Sequence, residues 1–211
     1  MFSVIFDMDG TLLDTQRICT PAWEYSGRCQ GIVGMGEYLP YVCGMNREGW
    51  SKYILERHPN IDVEKFNKVT REYIIKYGKI TYKKGAHELL EYLRGRKVRI
   101  ALASGSSRAS ITHHINEVGA MHYFDAIVGG DDVERGKPAP DVFLRAAEQI
   151  GAIAEDCFVF EDSANGVRAA HNAGMKAFGI PDIVAFDSEV KKLLFMELEH
   201  LGQAIEIFEK M

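Results

Sequence analysis

Val4-Ile5-Phe6-Asp7-Met8-Asp9-Gly10-Thr11-Leu12-Leu13-Asp14 is the stretch that decides how this chain is read. Val4-Ile5-Phe6 is β-branched and aromatic, the composition of a short buried strand. It runs straight into two carboxylates one residue apart, followed by a glycine. In an open α/β sheet, ligands bind in the crevice beyond the carboxyl ends of the strands, so Asp7 and Asp9 stand where chemistry is expected. Side chains two residues apart on an extended segment point the same way, so the two charges repel. A hard divalent cation such as Mg²⁺ removes that repulsion. Gly10 permits a tight turn and lets backbone amides approach a bound anion. Taken alone, Asp-x-Asp-Gly is also an ordinary acidic turn, so the assignment depends on partners elsewhere in the chain.

Working outward, residues 15–82 are rich in aromatics: both tryptophans and seven of the nine tyrosines fall there. Helical spacing is present over Trp50–Leu55 and Phe66–Tyr77, with Asn46 as a helix N-cap. The segment is slightly basic against an acidic remainder, which suits a substrate bearing phosphate. From Gly85 onward the pattern becomes regular. Helices are expected over 86–93, 108–116, 141–150 and 164–172. Strands are expected over 98–103, 126–128, 157–160 and 176–180. Glu189 to Lys210 reads as one or two closing helices. Strands alternating with helices imply a mostly parallel sheet covered on both faces.

Three later strand ends carry further candidates. Ser104-Gly105-Ser106-Ser107 offers a hydroxyl and free backbone amides just ahead of a helix, which makes either a phosphate site or a helix cap. Gly136-Lys137-Pro138-Ala139-Pro140 holds a lysine in a loop stiffened by prolines. Phe160 leads into Glu161-Asp162-Ser163. Four carboxylates in one crevice, Asp7, Asp9, Glu161 and Asp162, require a divalent cation and Lys137 to offset them.

In this order the four stations resemble the motifs of the haloacid dehalogenase superfamily of phosphatases and phosphomutases. The likeness spans nearly the whole chain and is strongest to the β-phosphoglucomutase-like and phosphoglycolate-phosphatase-like members. It implies a Rossmann-like α/β core of residues 1–14 and 83–211, with an inserted helical cap domain of residues 15–82. It also implies a Mg²⁺-dependent phosphomonoester hydrolase acting on a small phosphorylated metabolite, a sugar phosphate foremost. Asp7 would be the nucleophile that forms an aspartyl-phosphate, and Asp9 the acid and base. Ser104, Gly105 and Lys137 would grip the phosphoryl oxygens. The metal would be held by Asp7, the Asp9 backbone carbonyl and Asp162, with Glu161 acting directly or through water.

Two other readings remain open. In a hexose-phosphate mutase of this family, Arg47 resembles the cap arginine that holds the non-transferring phosphate, assisted by Ser106 and Arg108. Such a mutase has a histidine near the start of the cap where this chain has Cys19, and a thiol is a poor proton-linked replacement, so a hydrolase is expected. A non-enzymatic phosphoacceptor domain would carry its acceptor aspartate later and would not place an acid/base beside it.

A net charge of −5 disfavours binding to a nucleic-acid backbone. No signal peptide or membrane span is expected. The four cysteines, Cys19, Cys29, Cys43 and Cys157, lack Cys-x-x-Cys spacing and read as free thiols of a cytoplasmic protein, expected to be monomeric.

Overall fold

The computed structural model describes residues 2–211. Its centre is a six-stranded, all-parallel sheet. The strands are β1 (Ser3–Phe6), β2 (Arg99–Ala103), β3 (Ala126–Val128), β4 (Cys157–Glu161), β5 (Lys176–Gly179) and β6 (Met196–Glu197), in the order β3-β2-β1-β4-β5-β6. The first strand of the sequence therefore lies in the middle of the sheet, between β2 and β4. Phe6 is level with Leu102 on one side and Phe160 on the other. That register carries Asp7, Ser104 and Glu161-Asp162 to the same edge of the sheet.

The apolar runs are continuous because both faces of the sheet are covered. Successive β1 side chains alternate between the faces. Val4 and Phe6 join the core under α5 (Ala86–Gly95), α6 (Arg108–Glu117) and α10 (Gln203–Glu209), with Leu89, Leu93, Ile111, Ile115 and Phe208. Ile5 enters the opposite core under α7 (Asp141–Gln149) and α8 (Ala164–Asn172), with Val142, Phe143, Ala146 and Val167.

Between β1 and β2 the chain forms α1 (Gln16–Arg28), α2 (Leu39–Val42), α3 (Arg47–Arg57) and α4 (Val63–Tyr77). These helices enclose a separate apolar cluster of Trp23, Met35, Leu39, Val42, Ile54, Ile61 and Phe66. Trp23 meets Phe66 edge-on at 5.2 Å and Trp50 at 5.5 Å, so these aromatics are core material. The two segments joining the helices to the sheet run side by side. Asp14 N donates to Thr81 O, Lys83 N donates to Leu12 O, and Leu13 bridges to Tyr82.

Asn46 caps α3 as expected, accepting from Gly49 N at 3.0 Å. The sequence did not reveal α1, because Ile18, Thr20 and Pro21 are poor helix formers and Pro21 lies inside the helix. The C-terminal segment also differs from the expected helices. It forms α9 (Ser188–Lys191), then β6 paired with β5, then α10. A two-residue strand is too short to leave a periodic signal.

Candidate active site

At the carboxyl edge of the sheet, Lys137 reaches under the end of β1 from the loop that follows β3. Its side chain is fully buried, and Nζ donates to Asp7 Oδ1 at 2.6 Å and to Glu161 Oε1 at 2.5 Å. It also lies 4.7 Å from the centre of the Phe143 ring. Burial acts to lower the lysine's pKa, but the Asp7 and Glu161 carboxylates outweigh it and hold the ammonium above its ordinary value. Burial likewise pushes the Asp7 carboxyl well above the usual range. Lys137 opposes that shift, while Glu161, Asp162 and Asp9 add to it.

Glu161 keeps its second oxygen occupied: Oε2 accepts from Ser163 N and Oγ, each at 2.9 Å. Asp162 faces the other way. Its Oδ1 accepts from Thr11 Oγ1 at 3.0 Å and its Oδ2 from Gln16 Nε2 at 2.6 Å. Burial, then the neighbouring Glu161 charge, push the Asp162 carboxyl up to about 8 against those two hydrogen bonds.

Asp9 is separate from this group, although its chain neighbours are not. Its Oδ2 accepts from Ser106 Oγ at 2.7 Å and Ser104 Oγ at 3.2 Å, and its Oδ1 from Thr15 Oγ1 at 2.8 Å. Ser104 Oγ also accepts from Ser106 N at 3.0 Å. The hydroxyl expected to grip phosphate is thus bonded to the expected acid/base.

Asp7, Glu161 and Asp162 each offer an oxygen within 4.8 Å of the others. One ammonium cannot balance three buried carboxylates. An all-oxygen, strongly anionic donor set fits a hard divalent cation such as Mg²⁺. The Asp9 carboxylate is outside the set.

The loop between α2 and α3 seats on these strand ends. A Cβ on Gly105 would lie 2.8 Å from Met45 O, and one on Gly136 would lie 2.5 Å from Asn46 Cγ. Gly44, at φ +77°, fits against Ser163 with no room for a Cβ, and Asn165 Nδ2 donates to Cys43 O at 3.2 Å. Arg47 lines a cavity of about 570 Å³ with Gly105, Ser107 and Gly130, and pairs with Glu64. Arg108 pairs with Asp132 at 3.0 Å. Cys19 lies beside the helical cluster, its thiol pushed up to about 12 by burial and then by Asp9.

The structure therefore brings Asp7, Lys137, Glu161 and Asp162 together and sets Asp9, Ser104 and Ser106 beside them, with Gly105 under the α2–α3 loop. Arg47 and Arg108 stand at the rim with carboxylate partners. Thr11, Thr15 and Gln16 were missed. Their only sequence signal is polarity immediately after the aspartate pair.

This constellation on a parallel sheet is that of a haloacid dehalogenase-type phosphatase, and the chain belongs to that family. The model of the haloacid dehalogenase-like hydrolases matches residues 3–174. The chain is 30% identical to the phosphorylated carbohydrates phosphatase of Thermotoga maritima over 83% of each protein. It is 32% identical over 94% of its length to the bifunctional riboflavin kinase/FMN phosphatase of Arabidopsis thaliana, spanning 55% of that longer protein. β-Phosphoglucomutase from Clostridium difficile has the same fold, with a TM-score of 0.84 at 23% identity over 100% of this chain and 96% of that one. Among the described residues no helix is long and apolar enough to cross a membrane.

Proposed function

We propose that the protein is a Mg²⁺-dependent phosphomonoesterase of small phosphorylated metabolites, sugar phosphates foremost, working through an aspartyl-phosphate on Asp7. Residues 1–14 and 83–211 would form the catalytic core and residues 15–82 the cap. The observation that carries the reading is the buried Lys137, shared by Asp7 and Glu161 at 2.6 and 2.5 Å, with Asp9 held apart on three hydroxyls.

With Oδ1 tied to Lys137, the Asp7 carboxylate is fixed in orientation for attack on phosphorus. Its nucleophilic oxygen forms the new P–O bond as the ester P–O bond breaks. Asp9 gives a proton to the departing alkoxide and later takes one from the water that cleaves the aspartyl-phosphate. Thr15, Ser104 and Ser106 aim its carboxyl. Lys137 and the Gly105 amide would neutralise and orient phosphoryl oxygens, joined by Ser104 once its hydroxyl is released from Asp9. Asp7, Asp162, the Asp9 carbonyl and Glu161 are the groups that would hold Mg²⁺. When bound, the cation supplies charge that offsets the phosphoryl oxygens and the clustered carboxylates. The α2–α3 loop, seated on Gly105 and Gly136, would exclude water and choose the leaving group. A sugar phosphate is favoured by the Thermotoga maritima relative.

Hydrolysis is favoured over mutase chemistry by three features of this chain. Cys19 is a thiol held neutral. Glu64 and Asp132 compete with a second phosphate for Arg47 and Arg108.

The test is phosphate release from a panel of phosphomonoesters with Mg²⁺, beside an assay for conversion of β-glucose 1-phosphate to glucose 6-phosphate. The expected result is steady release from one compound class without isomerisation, lost in Asp7→Asn. Isomerisation with little free phosphate would overturn the hydrolase reading. Retained turnover in Asp7→Asn would overturn the nucleophile.

A further inference from the structure

Gln16, the first residue of α1, is buried and lies at the junction of the groups just described. Its Nε2 donates to Asp162 Oδ2 at 2.6 Å and to the Asp9 backbone carbonyl at 3.3 Å. Two oxygens facing one amide require the NH₂ side of that amide, so its orientation is fixed by its neighbours. The other side is left over: Gln16 Oε1 is buried with no hydrogen-bond partner among the described residues. A buried carbonyl oxygen without a partner is unfavourable. The placement is nevertheless tight. A Cβ on residue 10 would run into the Gln16 amide and come within 2.5 Å of Asp162 Oδ2, so Gly10 is what admits this side chain.

The two oxygens that Gln16 ties together come from the residue after β4 and from the turn after β1, and both belong to groups assigned to the cation above. Mg²⁺ binds reluctantly without several of its own waters, and each such water needs hydrogen-bond acceptors. The Glu161 and Asp162 oxygens already have partners, so a neutral buried acceptor beside them is the complementary group.

We propose that Gln16 is a positioning residue of the cation site: its NH₂ holds Asp162 and the Asp9 carbonyl in register, and its unpartnered Oε1 accepts from the cation's water shell. This rests on the phosphatase reading above, since it takes the cation site from there. The amide adds no charge to an already over-anionic cluster, which a glutamate at the same place would do.

The test is Mn²⁺ binding followed by electron paramagnetic resonance, with competition by Mg²⁺, in the full chain. Thermal midpoints are measured alongside, with and without Mg²⁺. Gln16→Met keeps the approximate volume but removes both polar ends, and Kd is expected to rise about 10-fold or more, the usual scale for groups that support metal ligands. Gln16→Glu sets a carboxylate against Asp162. It should lower the midpoint of the metal-free protein and enlarge the rise on adding Mg²⁺ beyond that of the wild type. A Gln16→Met Kd within about twofold of wild type, or a Gln16→Glu midpoint that responds to Mg²⁺ as wild type does, would overturn the inference while leaving the phosphatase reading intact. Should Gln16→Met fail to fold, the Gln16→Glu midpoints decide. If the wild type binds no Mn²⁺, the cation site and this role for Gln16 both fall.

Discussion

Replacing Lys137 by methionine keeps most of the buried stem and deletes the ammonium. Two buried carboxylates, 2.6 and 2.5 Å from Nζ, then lose their shared partner. Removing one member of a buried ion pair costs about 3–5 kcal/mol, because the charge left behind has no compensation. The cost is limited by protonation, since a carboxylate can neutralise itself. Asp7 is already shifted above its ordinary 3.8, with Lys137 opposing the shift, so the variant raises it further. A carboxyl whose folded pKa exceeds its unfolded one holds its proton more tightly in the native state. Its effect on stability is therefore absent at low pH and becomes more unfavourable as pH rises from the unfolded pKa to the folded one. In metal-free protein the Lys137→Met deficit should thus be smaller near pH 5 and approach about 3–5 kcal/mol near pH 8. Urea denaturation followed by circular dichroism at the two pH values measures it. Adding Mg²⁺ near pH 8 should recover part of the loss without restoring phosphate release. A deficit below about 1 kcal/mol that is equal at both pH values would refute the claim that Lys137 balances buried charge.

Two further outcomes follow from the same geometry. In the metal-free wild type, Asp162 is held up to about 8 by burial and then by Glu161, so stability should fall as pH rises from about 4 toward about 8. Mg²⁺ should oppose that fall, most at the alkaline end, and calorimetric scans that stay flat with pH would contradict it. Gly44→Ala combines a left-handed backbone at φ +77° with a Cβ that strikes Ser163, whereas Gly31→Ala has a similar φ of +76° in open space. Gly31→Ala should lose about 1–2 kcal/mol in urea titrations, and Gly44→Ala more than that because of the clash. Only Gly44→Ala should also raise KM severalfold in the phosphate-release assay, by unseating the α2–α3 loop, and equal kinetics for the two variants would count against that loop's role.

The legible part of this protein is the part whose physics is local. A strand of Val4-Ile5-Phe6 ending in Asp7 can be read because burial on both faces demands a continuous apolar run. The sheet register then puts the ends of β2 and β4 beside it. Lys137 was legible as a candidate because the prolines around it define a loop, but its burial between two carboxylates became visible only when β3 was placed at the edge beyond β2. The cap aromatics were legible as a change of texture, and Trp23 and Phe66 prove to be a core. Helix α1 was hidden by Pro21 and its β-branched neighbours, and β6 by its two-residue length.

Gly10 shows where such reading stops. From sequence it permits a turn, and at φ +86° it does make one. In the structure its missing side chain does a second thing. Asp162 arrives from β4, 152 positions later in the chain, and Gln16 folds back from the start of α1, and both occupy the space a Cβ would take. No property of residues 7–14 states which side chains will fill that space. The aspartates can therefore be found by their spacing, while the groups that orient them, Thr11 and Gln16 on Asp162 and Thr15 on Asp9, are found only by their distances. Substituting Gly10 would accordingly do more than strain a turn: it would displace the amide and the carboxylate together, coupling backbone conformation at the first station to cation affinity at the fourth.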